Sequence, residues 1–163
     1  MEPLILKKNF YKINLSDNDI KQQLVINKSL FLDTKANNKK DLFLEIEHIC
    51  KSSFSCNECN LKLINSSNSI VLDNGILLIN KMLGQIKDNY LIFLRSKYPI
   101  IFNKKLGNYA DMIFTLFTPR GLHTSSKLQL LSKVSILLKR SNIRKKIMGA
   151  NKAEDIITLF IKT

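Results

Sequence analysis

The chain lacks several features that would place it in a familiar class. Its 163 residues contain no run of about 18 apolar residues, which argues against a membrane-spanning helix. The sequence has no P-loop, no Gly-x-Ser-x-Gly and no His-Glu-x-x-His, so three common enzyme signatures are missing. The apolar stretch near Met1 is too short for a signal peptide, and we therefore expect a cytoplasmic protein.

Acidic residues are also scarce. The chain has 13 Asp and Glu against 26 Lys and Arg, a net charge of +13. Such an excess favours an anionic partner, which can be nucleic acid, an acidic protein or a membrane surface. However, there are only four arginines, and the lysines are spread along a chain rich in Asn and Ile, the residues of AT-rich codons. Composition therefore accounts for much of the charge, and a dedicated nucleic-acid site is the less favoured interpretation.

Cysteine is limited to Cys50, Cys56 and Cys59, and an odd number argues against a disulfide framework. Together with His48 these residues make one candidate zinc set. Only Cys56 and Cys59 have a paired spacing, because His48 and Cys50 fall within a helical pattern that places Cys50 on the apolar face. Free thiols are therefore preferred, and we predict no metal site and no cofactor.

The hydrophobic pattern predicts one α/β domain, a mixed central β-sheet with helices on both faces. At 45% hydrophobic residues the composition is that of an ordinary globular protein. Residues 1–27 lack sustained periodicity and read as an N-terminal leader, followed by a domain over 28–163. Strands are predicted over 29–35, 76–79, 89–94 and 110–119. Helices are predicted over 15–20, from 39, over 58–63, 125–139 and 141–148, and after 151.

The helix from 39 follows a turn and cap at residues 36–38, and apolar residues at three-and-four spacing give it one face to bury: Leu42, Phe43, Ile46, Ile49 and Cys50. The helix over 125–139 is predicted to bury the stripe Leu128, Leu131, Val134, Ser135 and Leu138. Gly149 is predicted to stop the helix over 141–148, and Asn151 to cap the last helix with Glu154 three residues on.

The stretch from Asn74 to Lys81 is the centre of the functional argument. Asn74 and Gly75 favour a tight turn because both residues tolerate positive φ. The apolar run that follows, Ile76–Ile79, reads as a short buried strand. Asn80 is then presented at the end of a strand, next to Lys81.

This stretch resembles the Asn-Gly-Ile-Ala-Ile-Pro-His segment of IIA domains of the bacterial phosphotransferase system, of the fructose/mannitol and nitrogen-regulatory (PtsN-like) type. Residues 98–102 are similar to the Pro-Ile-x-Phe segment of that family. Residues 110–119 are similar to its Val-Asp-Leu-x-Phe-x-Leu-x-x-Pro strand, which is the most specific match. The resemblance extends from Leu30 to Thr163 and implies the family's α/β fold.

The resemblance also implies which residues stand at the family's site. The histidine that carries the phosphoryl group corresponds to Asn80. A second histidine, which opens a later helix, corresponds to Lys127 if one extra loop residue is allowed. The arginine and glycines that precede Asn-Gly in the family are missing from residues 64–73. The resemblance thus implies that no catalytic residue is intact, with His123 as the one candidate for a displaced acceptor and Asn74, Gly75, Asn80, Lys81 and Lys127 as candidate binding residues.

Three functions remain open at this point. The leading hypothesis is a degenerate, regulatory IIA protein that binds targets such as transporter or sensor-kinase components. The family transfers phosphoryl groups, but asparagine at the acceptor position argues against an enzyme. The second is an active phosphocarrier that receives phosphate on His123 from an HPr-like protein. The third is a basic nucleic-acid-binding protein on the same scaffold. None of the three involves insertion into a membrane.

Overall fold

The secondary structure follows the alternation of apolar runs and amphipathic segments. The computed structural model describes residues 10–14, 23–54, 69–72, 75–84, 86–121, 124–140 and 142–161. Its strands are β1 (Phe10–Asn14), β2 (Gln23–Thr34), β3 (Ser69–Leu72), β4 (Ile76–Leu83), β5 (Asn89–Asn103) and β6 (Asn108–Pro119). Its helices are α1 (Lys39–Phe54), α2 (Thr124–Leu138), α3 (Ile143–Gly149) and α4 (Ala153–Ile161).

The strands of this described part form one mixed sheet in the order β1-β2-β5-β6-β4-β3. Two pairs are parallel, β2 with β5 and β4 with β6, and the other three are antiparallel. Helix α1 follows β2 and packs against β2 and β5, as expected when a helix begins the connection between parallel strands.

The core lies on both sides of the central strands. Strand β6 is buried at every position from Ala110 to Thr118, so both of its faces are covered. The rings of Phe93 and Phe114, on the neighbouring strands β5 and β6, lie 4.6 Å apart. Helix α2 packs on β4 and α4 packs on β2. This arrangement confirms the predicted α/β class with helices on both faces of a mixed sheet.

Helix α1 forms where its cap and its periodicity predicted it. Asn38 Oδ1 accepts a hydrogen bond from the Asp41 backbone N–H at 2.9 Å, which satisfies one of the free amides of the first turn. The predicted apolar face is buried in the structure: Leu42, Phe43, Ile46, Ile49 and Cys50. The start and the buried face of α1 therefore follow from local sequence.

The N-terminal half contains more strand than the sequence predicted. Strand β2 begins at Gln23, well before residue 29, and pairs along its first residues with β1. Both segments lie within the predicted leader, and the division of the chain into 1–27 and 28–163 stays a prediction. The helices predicted over 15–20 and 58–63 lie outside the described residues.

The C-terminal helices depart from their predicted details. Leu128 was predicted on the buried stripe of α2 but is 58% exposed, whereas Val134 and Leu138 are buried as predicted. Gly149 does not end α3 as a left-handed cap, because the cap residue is the extended Ala150. The cap of α4 is also shifted by one residue, since the Lys152 backbone N–H donates to Asp155 Oδ2 and not to the predicted glutamate.

Candidate functional site

Asn80 lies inside a strand and not at the end of one, which corrects the sequence prediction. Strand β4 continues to Leu83 because β6 offers a parallel partner as far as Pro119. The half-buried Asn80 side chain points its amide at that neighbour. Its Nδ2 donates to the Leu116 carbonyl oxygen at 3.1 Å and reaches Thr118 Oγ1 at 3.4 Å. The amide therefore links β4 to β6.

Lys81 does not share the surface of Asn80. Successive side chains of a strand point to opposite faces of the sheet, so these two neighbours lie on different sides. Lys81 pairs in register with Phe117 and is half-buried. A ligand that contacts the Asn80 side chain on one face is therefore not held by Lys81 from the same face.

Gly75 belongs to a different place as well. It precedes β4 and lies five residues before Asn80, which corresponds to about 17 Å along an extended strand. Its φ of +75° lies in the left-handed region that glycine tolerates best. Its carbonyl oxygen accepts from the backbone N–H groups of Asp111 and Met112, at 2.9 and 3.2 Å. Gly75 thus joins the amino ends of β4 and β6, and Asn74 lies outside the described residues.

An ion pair that sequence reasoning missed lies beside Gly75. Arg144 of α3 donates two hydrogen bonds to Asp111 of β6, at 2.8 and 2.6 Å. These bonds raise the pKa of Arg144 above its ordinary value. A Cβ atom at Gly75 would lie 3.0 Å from Asp111 Oδ1 and 3.1 Å from Arg144 Nη1, so a side chain there would crowd the pair. The sequence signal was an acid within the apolar strand 110–118, where a buried charge needs a partner.

A second arginine holds the other end of α3. Arg95 of β5 donates from Nη1 to the carbonyl oxygens of Ile147 and Ala150, both at 2.8 Å. Its Nε and Nη2 donate to Asp33 on the neighbouring strand, at 2.6 and 3.2 Å. The hydrogen bonds from Arg95 lower the pKa of Asp33, and Asp33 in turn raises the pKa of Arg95. Positive charge at the carboxyl end of a helix is also favourable to its dipole.

Lys127 occupies the first turn of α2 and is half-buried. Helix α2 packs against β4, which is the strand that carries Asn80. The structure therefore places the two residues on neighbouring elements. His123 lies outside the described residues, so its proposed role as a displaced acceptor stays a prediction.

The candidate zinc set loses one of its members. Cys50 is fully buried and is disulfide-bonded, which corrects the expectation of free thiols. A sulfur in a disulfide is not available as a thiolate ligand, and His48 is exposed on the opposite side of α1. Among the described residues, no group of three or more His, Cys, Asp or Glu side chains is arranged to hold a metal ion.

Comparison with known proteins assigns this chain to a family. Residues 23–163 match the family described as "Phosphoenolpyruvate-dependent sugar phosphotransferase system, EIIA 2". The chain belongs to this family. A search of curated proteins found no match for this EIIA 2 domain.

The solved structures that share its fold include two IIA proteins. The nitrogen regulatory protein IIA-Ntr of Neisseria meningitidis is 24% identical, with a TM-score of 0.66, over 83% of this chain and 95% of the other. The enzyme IIAMtl of Escherichia coli, solved in complex with phosphorylated enzyme IIBMtl, is 11% identical with a TM-score of 0.62. That match covers 82% of this chain and 94% of the other.

No helix in the described part of the EIIA 2 domain is long and apolar enough to cross a membrane.

Proposed function

We propose that this EIIA 2 domain is a regulatory protein-binding module of the nitrogen-regulatory type that accepts no phosphate at the usual position. The observation that carries the proposal is the asparagine at position 80, whose amide is bonded into the sheet. The family assignment supports the scaffold, and the chemistry of that side chain supports the loss of phosphoryl transfer.

The side chain of Asn80 lacks the nucleophilicity that a phosphoryl acceptor needs. A phosphoryl acceptor must offer a lone pair to phosphorus, as a neutral imidazole does through one ring nitrogen. The amide nitrogen of Asn80 has its lone pair delocalised into the carbonyl group. Its hydrogens are directed to Leu116 O and Thr118 Oγ1. The nitrogen at this position is therefore a donor and not a nucleophile.

The charges around Asn80 also do not suit a phosphoryl group. A phosphoryl group brings about two negative charges, which need cations or backbone N–H groups for stabilisation. Lys81 lies on the opposite face of the sheet from the Asn80 side chain. In the sequence, residues 64–73 also lack the arginine and the glycines that precede Asn-Gly in the resemblance. The position of Lys81 and the missing arginine and glycines both leave an anion at Asn80 without stabilisation. They favour a site that stays unphosphorylated and therefore keeps the same charge.

The proposed role is therefore binding without a phosphorylation switch. A family member with a histidine acceptor changes its surface charge when it is phosphorylated, whereas Asn80 keeps the charge of the unphosphorylated form. Proteins such as transporter or sensor-kinase components are the expected targets. The net charge of +13 favours acidic surfaces on those targets.

The test is phosphoryl transfer from phosphoenolpyruvate through the upstream enzymes of the relay, with the intact mass of the protein as readout. The wild-type chain is expected to gain no phosphoryl group, while an EIIA domain that retains the acceptor histidine serves as the positive control. Phosphate on wild type would overturn the proposal. Its loss in His123→Ala would then establish the displaced-acceptor alternative.

The nucleic-acid alternative has a separate signature. Binding through phosphate contacts releases counterions, so affinity for a DNA or RNA duplex would fall steeply as salt is raised. Tight, salt-sensitive binding at physiological ionic strength would replace the regulatory proposal with this alternative. Binding that is weak at all salt concentrations is the expected result.

A further inference from the structure

The far end of the β5–β6 hairpin carries an exposed surface that is both apolar and basic. Four large apolar or aromatic side chains there are more than half exposed: Tyr98 at 68%, Ile101 at 57%, Leu106 at 71% and Tyr109 at 52%. The sequence over residues 97–109, which we name the basic hairpin, contains three lysines and no acidic residue. All three lysines are exposed. A cluster of exposed apolar side chains of this kind marks an interaction surface more often than isolated ones do.

The exposed side chains are held by an ordered scaffold. Ile101 and Tyr109 are cross-strand partners, so both project from the same face of the ribbon. The neighbouring partners Ile100 and Ala110 are completely buried and anchor the other face on the domain. The surface is thus presented by a ribbon whose inner face belongs to the core.

The turn of the basic hairpin is also defined by specific contacts. Asn103 Oδ1 accepts from the backbone N–H groups of Lys105 and Leu106, at 3.1 and 3.2 Å. Gly107 supplies a φ of +64°, which the reversal of the chain requires. These contacts fix the loop that displays Leu106 at the tip. A preordered surface loses less conformational entropy when a partner binds.

This surface lies away from Asn80. Strands β4 and β6 are parallel, and the hairpin precedes the amino end of β6, whereas Asn80 pairs with Leu116 further along. Seven residues separate Tyr109 from Leu116, or about 23 Å along an extended strand. A phosphoryl group at Asn80 would therefore not reach the basic hairpin, and docking at the hairpin does not depend on whether Asn80 accepts phosphate.

We propose that the basic hairpin docks an acidic segment of a partner protein, with apolar side chains that cover Ile101, Leu106 and Tyr109. The lysines supply the charge complementarity that attracts and orients such a segment. Lys97 Nζ also lies 5.5 Å from the centre of the Tyr98 ring, so positive charge and aromatic surface are adjacent. Tyrosines are among the residues that contribute most at protein interfaces.

Two other anionic partners fit this surface less well. The basic hairpin has no arginine for bidentate phosphate contacts, and beside its two exposed tyrosines it exposes two aliphatic side chains, which offer no stacking surface for bases. A lipid interior offers no hydrogen-bond partners. Beyond Ser96 of β5 and before Met112 of β6, the two strands of the hairpin pair with no other described strand. Their outer backbone N–H and C=O groups would therefore lose their hydrogen bonds to water in a lipid interior and gain no others.

The test starts with selection of random displayed peptides on the full chain. Peptides enriched in Asp and Glu with interspersed apolar residues are the expected product. One selected peptide, labelled with fluorescein, is then titrated against variants by fluorescence anisotropy. Leu106→Ser and Lys104→Glu should each weaken its binding about tenfold or more, since both remove an exposed contact and leave the core intact.

A matched control changes the same charge at the other end of the sheet. Lys87 is exposed just before β5 begins, opposite the hairpin turn, and Lys87→Glu should leave the affinity within about twofold. Equal weakening by Lys87→Glu and Lys104→Glu would reduce the effect to net charge and overturn the proposal. Failure to select acidic peptides would also overturn it. The proposal would also be overturned if the same residues bound phosphatidylserine vesicles or a single-stranded oligonucleotide more tightly than the selected peptide.

Discussion

The ion pair between Asp111 and Arg144 is unequally exposed, which predicts that its two halves differ in what their loss costs. The Asp111 side chain is 9% exposed, whereas that of Arg144 is 33% exposed. Replacement of Arg144 with methionine leaves a carboxylate in the core without its cation. Replacement of Asp111 with asparagine leaves a guanidinium that water already reaches.

The magnitudes follow from this difference. Removal of one partner from a fully buried pair typically destabilises a protein by about 3–5 kcal/mol. Because Arg144 is partly hydrated, we expect the lower limit, about 3 kcal/mol, for Arg144→Met. For Asp111→Asn, which keeps the size of the side chain and one acceptor oxygen, we expect about 1.5 kcal/mol. The double variant should be more stable than Arg144→Met alone, because a neutral amide at position 111 needs no cation.

The assay is urea denaturation at pH 7, followed by circular dichroism and extrapolated linearly to water. Wild type, the two single variants and the double variant complete the cycle. The reasoning would be refuted if Asp111→Asn cost as much as Arg144→Met. A double variant less stable than Arg144→Met would refute it equally, since it would show that the buried carboxylate is not the source of the loss.

Three further predictions concern stability. Arg95→Ala should lower the free energy of unfolding by about 2–3 kcal/mol, and Arg95→Lys by less, because lysine keeps the charge but not the fork that bridges Asp33 and the last carbonyls of α3. Arg95 lowers the pKa of Asp33, so the carboxylate of Asp33 contributes to the free energy of unfolding at neutral pH, and this contribution is lost as the pH falls through the lowered pKa. In urea titrations, the difference in free energy of unfolding between wild type and Asp33→Asn should therefore narrow between pH 7 and pH 3. Thr115→Val should raise the free energy of unfolding by about 1 kcal/mol, since Thr115 Oγ1 is buried without a hydrogen-bond partner among the described residues. Thr118→Val removes an acceptor for Asn80 and should not stabilise the protein. Equal gains for the two variants in calorimetry would contradict this account.

Local sequence was sufficient where a segment's structure depends on its own pattern. The run 110–119 is mainly apolar, as expected for a central strand covered on both faces, and it is buried from Ala110 to Thr118. Helix α1 combines a capping asparagine with apolar residues at three-and-four spacing. The predicted start of α1 at residue 39 and the predicted strand over 110–119 agree with the observed elements because the sequence pattern of each segment is sufficient to indicate it.

Prediction was less accurate where pairing between strands decides the structure. Asn80 and Lys81 are polar, and this suggested that the strand ends before them. The parallel neighbour β6 continues, however, and its backbone ladder extends β4 to Leu83. The Asn80 amide is accommodated because Leu116 O accepts its hydrogen. A single chain segment does not show how long its neighbour will be.

The two arginine contacts of α3 were missed for a related reason. Arg95 and Ile147 are 52 residues apart, and Asp111 and Arg144 are 33 apart. Their contacts exist only once α3 has docked on the sheet, and no local spacing encodes that docking. Leu128 was mispredicted for the same reason. Its apolar character predicts burial, but the way α2 packs on the sheet leaves it exposed to solvent.

The central claim is that this EIIA 2 domain does not carry phosphate, and the most direct measurement is the intact mass of the wild-type protein after incubation with the upstream relay enzymes and phosphoenolpyruvate. The account predicts an unchanged mass under conditions that fully phosphorylate a domain with the acceptor histidine. Asn80→His, tested alongside, shows whether the missing imidazole is the only obstacle. A wild-type chain heavier by one phosphoryl group would contradict the account, and the site of modification would then identify the acceptor.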